Sequence, residues 1–115
     1  MRRVVVTGMG VISPVGNDLE SFWNNLTEGK NGVGMITRFD TTEQKVKVAA
    51  EVKDFEPTKY IEKSQVRKTD LFAQYALAAA VQAMEDAGLR SGENIDAERL
   101  GVYVGSGTRG INTIT

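Results

Sequence analysis

The chain has 115 residues, 14 Lys and Arg against 15 Asp and Glu for a formal charge of −1, and neither Cys nor His. Those two zeros exclude, within these residues, a Ser-His-Asp or Cys-His nucleophile, a disulfide and a Cys/His zinc site. Carboxylate metal sites and acid/base work by Asp, Glu, Lys or Tyr stay open, and near-neutrality means that a charge-guided partner would have to be met by a local patch.

Val4, Val5 and Val6 are consecutive and β-branched, which predicts a central strand covered on both faces and ended by Thr7-Gly8-Met9-Gly10. Ser13-Pro14 predicts an extended or turn conformation. Residues 17–29 read as an amphipathic helix: Asn17 as N-cap, Glu20 at the capping-box position, Leu19, Phe22, Trp23 and Leu26 on one face, Gly29 at the stop. Phe22 and Trp23 are expected in the core of that face.

Residues 45–52 alternate, with Val46, Val48, Ala50 and Val52 on one face and Lys45, Lys47 and Glu51 on the other, the pattern of a half-buried strand. After Pro57 a short charged stretch holding Tyr60 and Ile61 predicts one or two helical turns. Residues 66–87 are the most helical part of the chain, rich in Ala and Leu, free of Gly and Pro, and ended by Gly88. Small residues recur at Ala73, Ala76, Ala79, Ala80 and Ala83 with little polarity between them, so this helix is expected to be buried on most sides. Residues 96–99 predict a further turn, and Leu100-Gly101-Val102-Tyr103-Val104 another buried strand, entering Gly105-Ser106-Gly107-Thr108-Arg109-Gly110.

A strand feeding a glycine loop ordinarily continues into an element that covers its sheet, and the five residues after Gly110 are too few, so the chain is expected to be truncated. No apolar run is long enough to span a bilayer. Only three strongly apolar residues follow Arg2-Arg3, too few for a secretory signal, which leaves a soluble cytoplasmic protein as the expectation.

Three groups of residues could carry chemistry. Gly105-x-Gly107-x-x-Gly110 matches the dinucleotide fingerprint, but the helix and the acidic residue ~20 positions later that complete it have no room here. A nucleotide-binding oxidoreductase fragment therefore stands against a plain tight turn. Lys59, Lys63 and Arg67 recur every four residues with Lys68 adjacent, so a helical 58–70 region would present a basic ridge able to dock an acidic partner; the alternative is a solvated face partly neutralised by Glu56, Glu62 and Asp70. Asp40, Asp54, Glu56, Asp86, Glu93 and Asp96 are scattered without a metal-binding register.

The opening Arg2-Arg3-Val4-Val5-Val6-Thr7-Gly8-Met9-Gly10-Val11-Ile12-Ser13-Pro14-Val15-Gly16-Asn17 resembles the start of the β-ketoacyl-[acyl-carrier-protein] synthase II family, the elongating condensing enzymes of bacterial fatty-acid synthesis. Phe39-Asp40-Thr41, Val52-Lys53-Asp54-Phe55, Arg67-Lys68-Thr69-Asp70, Gln82-Ala83-Met84-Glu85-Asp86-Ala87-Gly88-Leu89 and Gly105-Ser106-Gly107 follow in that family's order. The resemblance implies an α/β fold of the thiolase type, layered α-β-α-β-α, with residues 1–115 forming the opening part of its first half and no complete domain boundary inside them. It further implies a cytoplasmic homodimer that transfers an acyl chain from acyl carrier protein to a Cys. The enzyme then decarboxylates malonyl-carrier protein and condenses the carbanion with the thioester, assisted by two His, without a metal or redox cofactor.

None of those catalytic groups is present, so the resemblance places them after Thr115 and implies that the isolated segment is inactive. It assigns carrier docking to Lys63, Arg67 and Lys68, just before the long helix. It assigns the wall of the acyl pocket to the loop holding Gly107 and Thr108, where Thr108-Arg109-Gly110 departs from the family's bulky apolar residue and two glycines. A non-catalytic ketosynthase-like chain-length factor is the remaining rival.

Overall fold

The computed structural model describes residues 1–90 and 92–107. The chain forms two compact units: Val11–Phe55, and Met1–Gly10 together with the residues from Glu56 onward.

The Val11–Phe55 unit opens on a tight turn. Ser13 and Gly16 exchange backbone hydrogen bonds at 2.9 and 3.2 Å. The Ser13 hydroxyl accepts from the Val15 N–H at 3.2 Å and donates to the Gly16 carbonyl at 3.1 Å. Helix α1 follows over Leu19–Thr27. Its N-cap is Asp18, whose carboxylate accepts from the Ser21 N–H at 2.7 Å, rather than Asn17. Asn17 instead donates its side-chain amide to the Lys53 carbonyl at 2.6 Å, and with the cap moved by one residue Glu20 no longer occupies the capping-box position. Phe22 is half-buried while Trp23 is 62% exposed, so only part of the expected apolar face is covered.

Strands β1 (Val33–Met35) and β2 (Val48–Ala50) pair antiparallel, with Val33 opposite Ala50, Gly34 opposite Ala49 and Met35 opposite Val48. Most of the face predicted to be buried is exposed, with only Val52 at its end half-buried. Val46, Val48 and Ala50 face solvent and Ala49 is half-covered, because this two-stranded ladder, the only sheet among the described residues, has nothing packed on its valine face. The Lys53 ammonium donates to the carbonyls of Gly32 (2.8 Å), Glu51 (3.0 Å) and Pro14 (3.4 Å), joining the turn before α1 to both strands' flanks.

The second unit is organised by helix α3, Leu71–Ala87. It ends where the sequence says. Gly88 takes the left-handed conformation at φ +69°, its N–H reaches the Glu85 carbonyl at 3.1 Å, and the Leu89 N–H reaches that of Met84 at 3.0 Å, a Schellman closure. It begins five residues later than predicted. Residues 63–66 form a separate turn of helix, α2 (Lys63–Val66), and the chain breaks direction before the N-cap at Asp70.

Two glycines of the opening segment explain part of the alanine pattern of α3. A β-carbon on Gly8 would stand 2.6 Å from the Ala87 nitrogen, and one on Gly10 would stand 2.6 Å from the Gln82 β-carbon and 2.8 Å from the Ala83 nitrogen. The Met9 N–H between them donates to the Asp86 carboxylate at 3.0 Å. Backbone therefore lies directly on backbone, which the missing β-carbons at Gly8 and Gly10 permit.

Elsewhere α3 is less enclosed than expected. Its buried residues are Gln74 and Ala78, which join Ile61 in the core, while Leu77 on another side is 45% exposed. Neither predicted buried strand of this unit carries a ladder. Val4, Val5 and Val6 are 93, 70 and 79% exposed, and Val102, Tyr103 and Val104 are 79, 97 and 65% exposed. A strand is held by hydrogen bonds to a neighbour, and among the described residues none pairs with either segment. Residues 96–99 do make the predicted turn, a short 3₁₀ helix over Ala97–Arg99 capped by the Asp96 side chain.

Candidate functional site

The segment between Glu56 and Asp70 carries the basic residues singled out in the sequence. Pro57 opens a 3₁₀ turn over Pro57–Lys59, with its ring at a position where no helical N–H is needed. The Tyr60 and Ile61 N–H groups both return to the Pro57 carbonyl, at 3.1 and 2.9 Å. This turns the Ile61 side chain into the core, where it is 9% exposed. The Tyr60 hydroxyl accepts from the Gln82 side chain at 3.2 Å, fixing the turn to α3.

Because Tyr60–Glu62 interrupts the helix, the four-residue ridge does not run through Lys59, which sits on its own turn. Lys63 begins α2, Arg67 is its C-cap residue and Lys68 follows. All three side chains are exposed, and none pairs with an acidic group among the described residues. The three cations are thus not neutralised by ion pairs with described residues. Three cations lie within six residues, on one compact turn facing water, where an anionic partner would be attracted over roughly a Debye length, ~8 Å at physiological salt.

The turn is held from beneath by one side chain that the sequence reading passed over. Gln74, 7% exposed, donates its amide to the Val66 carbonyl at 3.0 Å and to the Thr69 carbonyl at 3.1 Å, with the Thr69 hydroxyl at 3.4 Å. A polar residue at an inward position of an otherwise apolar helix was the available signal.

The glycine loop presents a different picture. Gly107 is exposed, and among the described residues β-carbons on Gly105 and Gly107 would meet no atom within 4 Å beyond their own chain neighbours. Thr108 and Gly110, the other named positions of that loop, lie outside the described residues. The neighbouring Ser106, not Gly107, lines an open apolar groove of about 340 Å³ with Phe72, Ala76, Leu77, Val102 and Val104. Gly8 and Gly10, by contrast, are accounted for by close packing against α3. Among the described residues no three Asp or Glu side chains converge as a metal site, and no helix is long and apolar enough to cross a membrane.

Comparison with known proteins accounts for nearly the whole chain. A family model described as "Beta-ketoacyl synthase, N-terminal domain" matches residues 1–114. The 3-oxoacyl-[acyl-carrier-protein] synthase 2 of Vibrio harveyi is 50% identical over 113 residues, covering 98% of this chain and 27% of that protein. The synthase 2 of Coxiella burnetii is 48% identical over 110 residues, covering 96% and 26%. Among solved structures, the ishigamide ketosynthase/chain length factor superposes with a TM-score of 0.72 at 45% identity, over 77% of this chain and 22% of that one. The chain thus spans about a quarter of the length of the relatives it matches. With a family model running from the first residue to the last but one, the chain belongs to the β-ketoacyl synthase family, within its N-terminal domain.

Proposed function

We propose that the chain is the amino-terminal part of a fatty-acid elongating β-ketoacyl-[acyl-carrier-protein] synthase. The observation that carries this reading is the 50% identity to a 3-oxoacyl-[acyl-carrier-protein] synthase 2 across 98% of the chain. The parent would extend an enzyme-bound acyl thioester by decarboxylative condensation with malonyl-carrier protein. Since the segment holds no Cys or His, the nucleophile and its two His partners would come from the remainder of the protein. The bare valines of residues 4–6 and the open side of α3 support a layered thiolase-type fold in which residues 1–115 are one part of the first half and further sheet and helix cover these surfaces. The parent would act as a cytoplasmic homodimer without a metal or redox cofactor.

Within this segment the role we assign is recognition of the acidic acyl carrier protein by Lys63, Arg67 and Lys68, supported by their exposure and their freedom from ion pairs with described residues. We place Gly107 and Thr108 at the acyl pocket. In the full-length enzyme, Lys63→Glu with Arg67→Glu raises KM for the acyl-carrier substrate and spares small thioester substrates. An unchanged KM for the carrier removes the docking assignment.

The solved neighbour's title names a chain length factor beside a ketosynthase. Incubating the full-length protein with acyl-carrier protein separates the two readings. A synthase gains the mass of one acyl group per active site, and a chain-length factor, which lacks the nucleophile, gains none.

A further inference from the structure

The two carbonyls held by Gln74 belong to Val66 and Thr69, and between them in the chain stand Arg67 and Lys68. Both ends of the basic dipeptide are therefore tied to the first turn of α3, which is itself anchored by the Gln74 N–H to the Asp70 carbonyl at 3.0 Å. The Thr69 hydroxyl adds a second strap, donating to the Gln65 carbonyl at 2.9 Å. A four-residue helix such as α2 has little stability of its own, and its last carbonyls have no partner inside the helix. Here a buried amide from another element supplies one.

We infer that Gln74, with Thr69, is a positioning residue for carrier recognition: it fixes the backbone on which Arg67 and Lys68 are displayed, so that these cations meet an anionic carrier surface without first being ordered. This rests on the docking role proposed above for the same cations. Ordering a flexible loop and its long side chains at the moment of binding weakens association, and a prefixed turn avoids that loss. The clasp touches no substrate and acts only through the geometry of the basic turn.

The test uses the full-length synthase and two substrates, the acyl-carrier protein and the uncharged N-acetylcysteamine thioester of the same acyl group. Gln74→Met keeps the volume of the side chain and removes its donors. The ratio of carrier KM to thioester KM is expected to rise about threefold to tenfold. Adding Gln74→Met to Arg67→Ala with Lys68→Ala should raise it little further, because the residues act as one unit. A ratio unchanged by Gln74→Met, or full additivity with the charge variant, overturns the inference. If Arg67→Ala with Lys68→Ala raises the ratio while Gln74→Met does not, the clasp is refuted and docking stands; if the charge variant also leaves the ratio unchanged, docking itself is refuted. Should Gln74→Met fail to fold, Thr69→Val, which deletes the strap to Gln65 at a half-buried position, decides on the same ratio, a rise supporting the clasp and no change refuting it.

Discussion

Gly10 and Ala79 are in backbone contact: a β-carbon on Gly10 would overlap the Ala79 carbonyl oxygen. Neither neighbour can yield, since one is helix backbone and the other atoms within reach are the Gln82 β-carbon and the Ala83 nitrogen. Gly10→Ala should therefore destabilise the protein by about 1–3 kcal/mol, the usual cost of overpacking. Gly34→Ala is the control, because a β-carbon there meets nothing within 4 Å. Midpoints of urea unfolding for the two variants check the contrast, which equal midpoints would refute.

Gly88 has the opposite problem. Among the described residues no atom beyond its chain neighbours lies within 4 Å of where its β-carbon would be, but its φ of +69° is a conformation that other residues reach at a cost. Gly88→Ala should lose about 1–2 kcal/mol from backbone strain alone, and Gly88→Asn less, since Asn tolerates the left-handed region. The order Gly, Asn, Ala in thermal unfolding midpoint is the expected outcome.

At the start of α1, Asp18 rather than Asn17 satisfies the Ser21 N–H. Asp18→Ala is expected to cost about 0.5–2 kcal/mol and Asp18→Asn much less, because the cap needs an acceptor oxygen and not a charge. Amide hydrogen exchange at Ser21 should accelerate in the alanine variant. Unchanged exchange there would refute the cap assignment.

Asp40 should titrate below its ordinary value of 3.8, first because the Thr42 hydroxyl donates to its carboxylate and second because the Thr42 N–H does so at 3.0 Å. A folded-state pKa below the unfolded one gives a contribution to stability that is complete above the ordinary value and disappears as pH falls through the lowered one. Carboxyl carbon NMR of Asp40 follows it directly. Thr42→Val removes the hydroxyl bond and leaves the backbone bond, so the midpoint should move back up without reaching 3.8.

What the sequence made legible was local chemistry. The Gly88 stop, the turn at Pro57, the Ser13-Pro14 turn and the existence of α1 follow from residues acting on their own neighbours. The start of α3 was misplaced because the break at residues 67–70 is held by Gln74, a side chain further along the chain whose effect no periodicity records. Strand β1 was missed because a run of three residues with glycine at its centre is too short to show alternation. Faces and burial were misjudged at Val4–Val6, Val48 and Val102 because these depend on what packs above them, which alternation cannot supply. The basic turn itself was legible as charge, but its presentation was not.

The seat that α3 makes for Gly8, Met9 and Gly10 also governs when the molecule can assemble. The bond between Met9 and Asp86 joins residues 77 positions apart. At a translation rate of about 5–20 residues per second, the first ten residues emerge roughly 4–15 s before the helix that receives them. During that interval three adjacent valines stand on the nascent chain without the helix that seats their neighbours, so this part of the fold is set late.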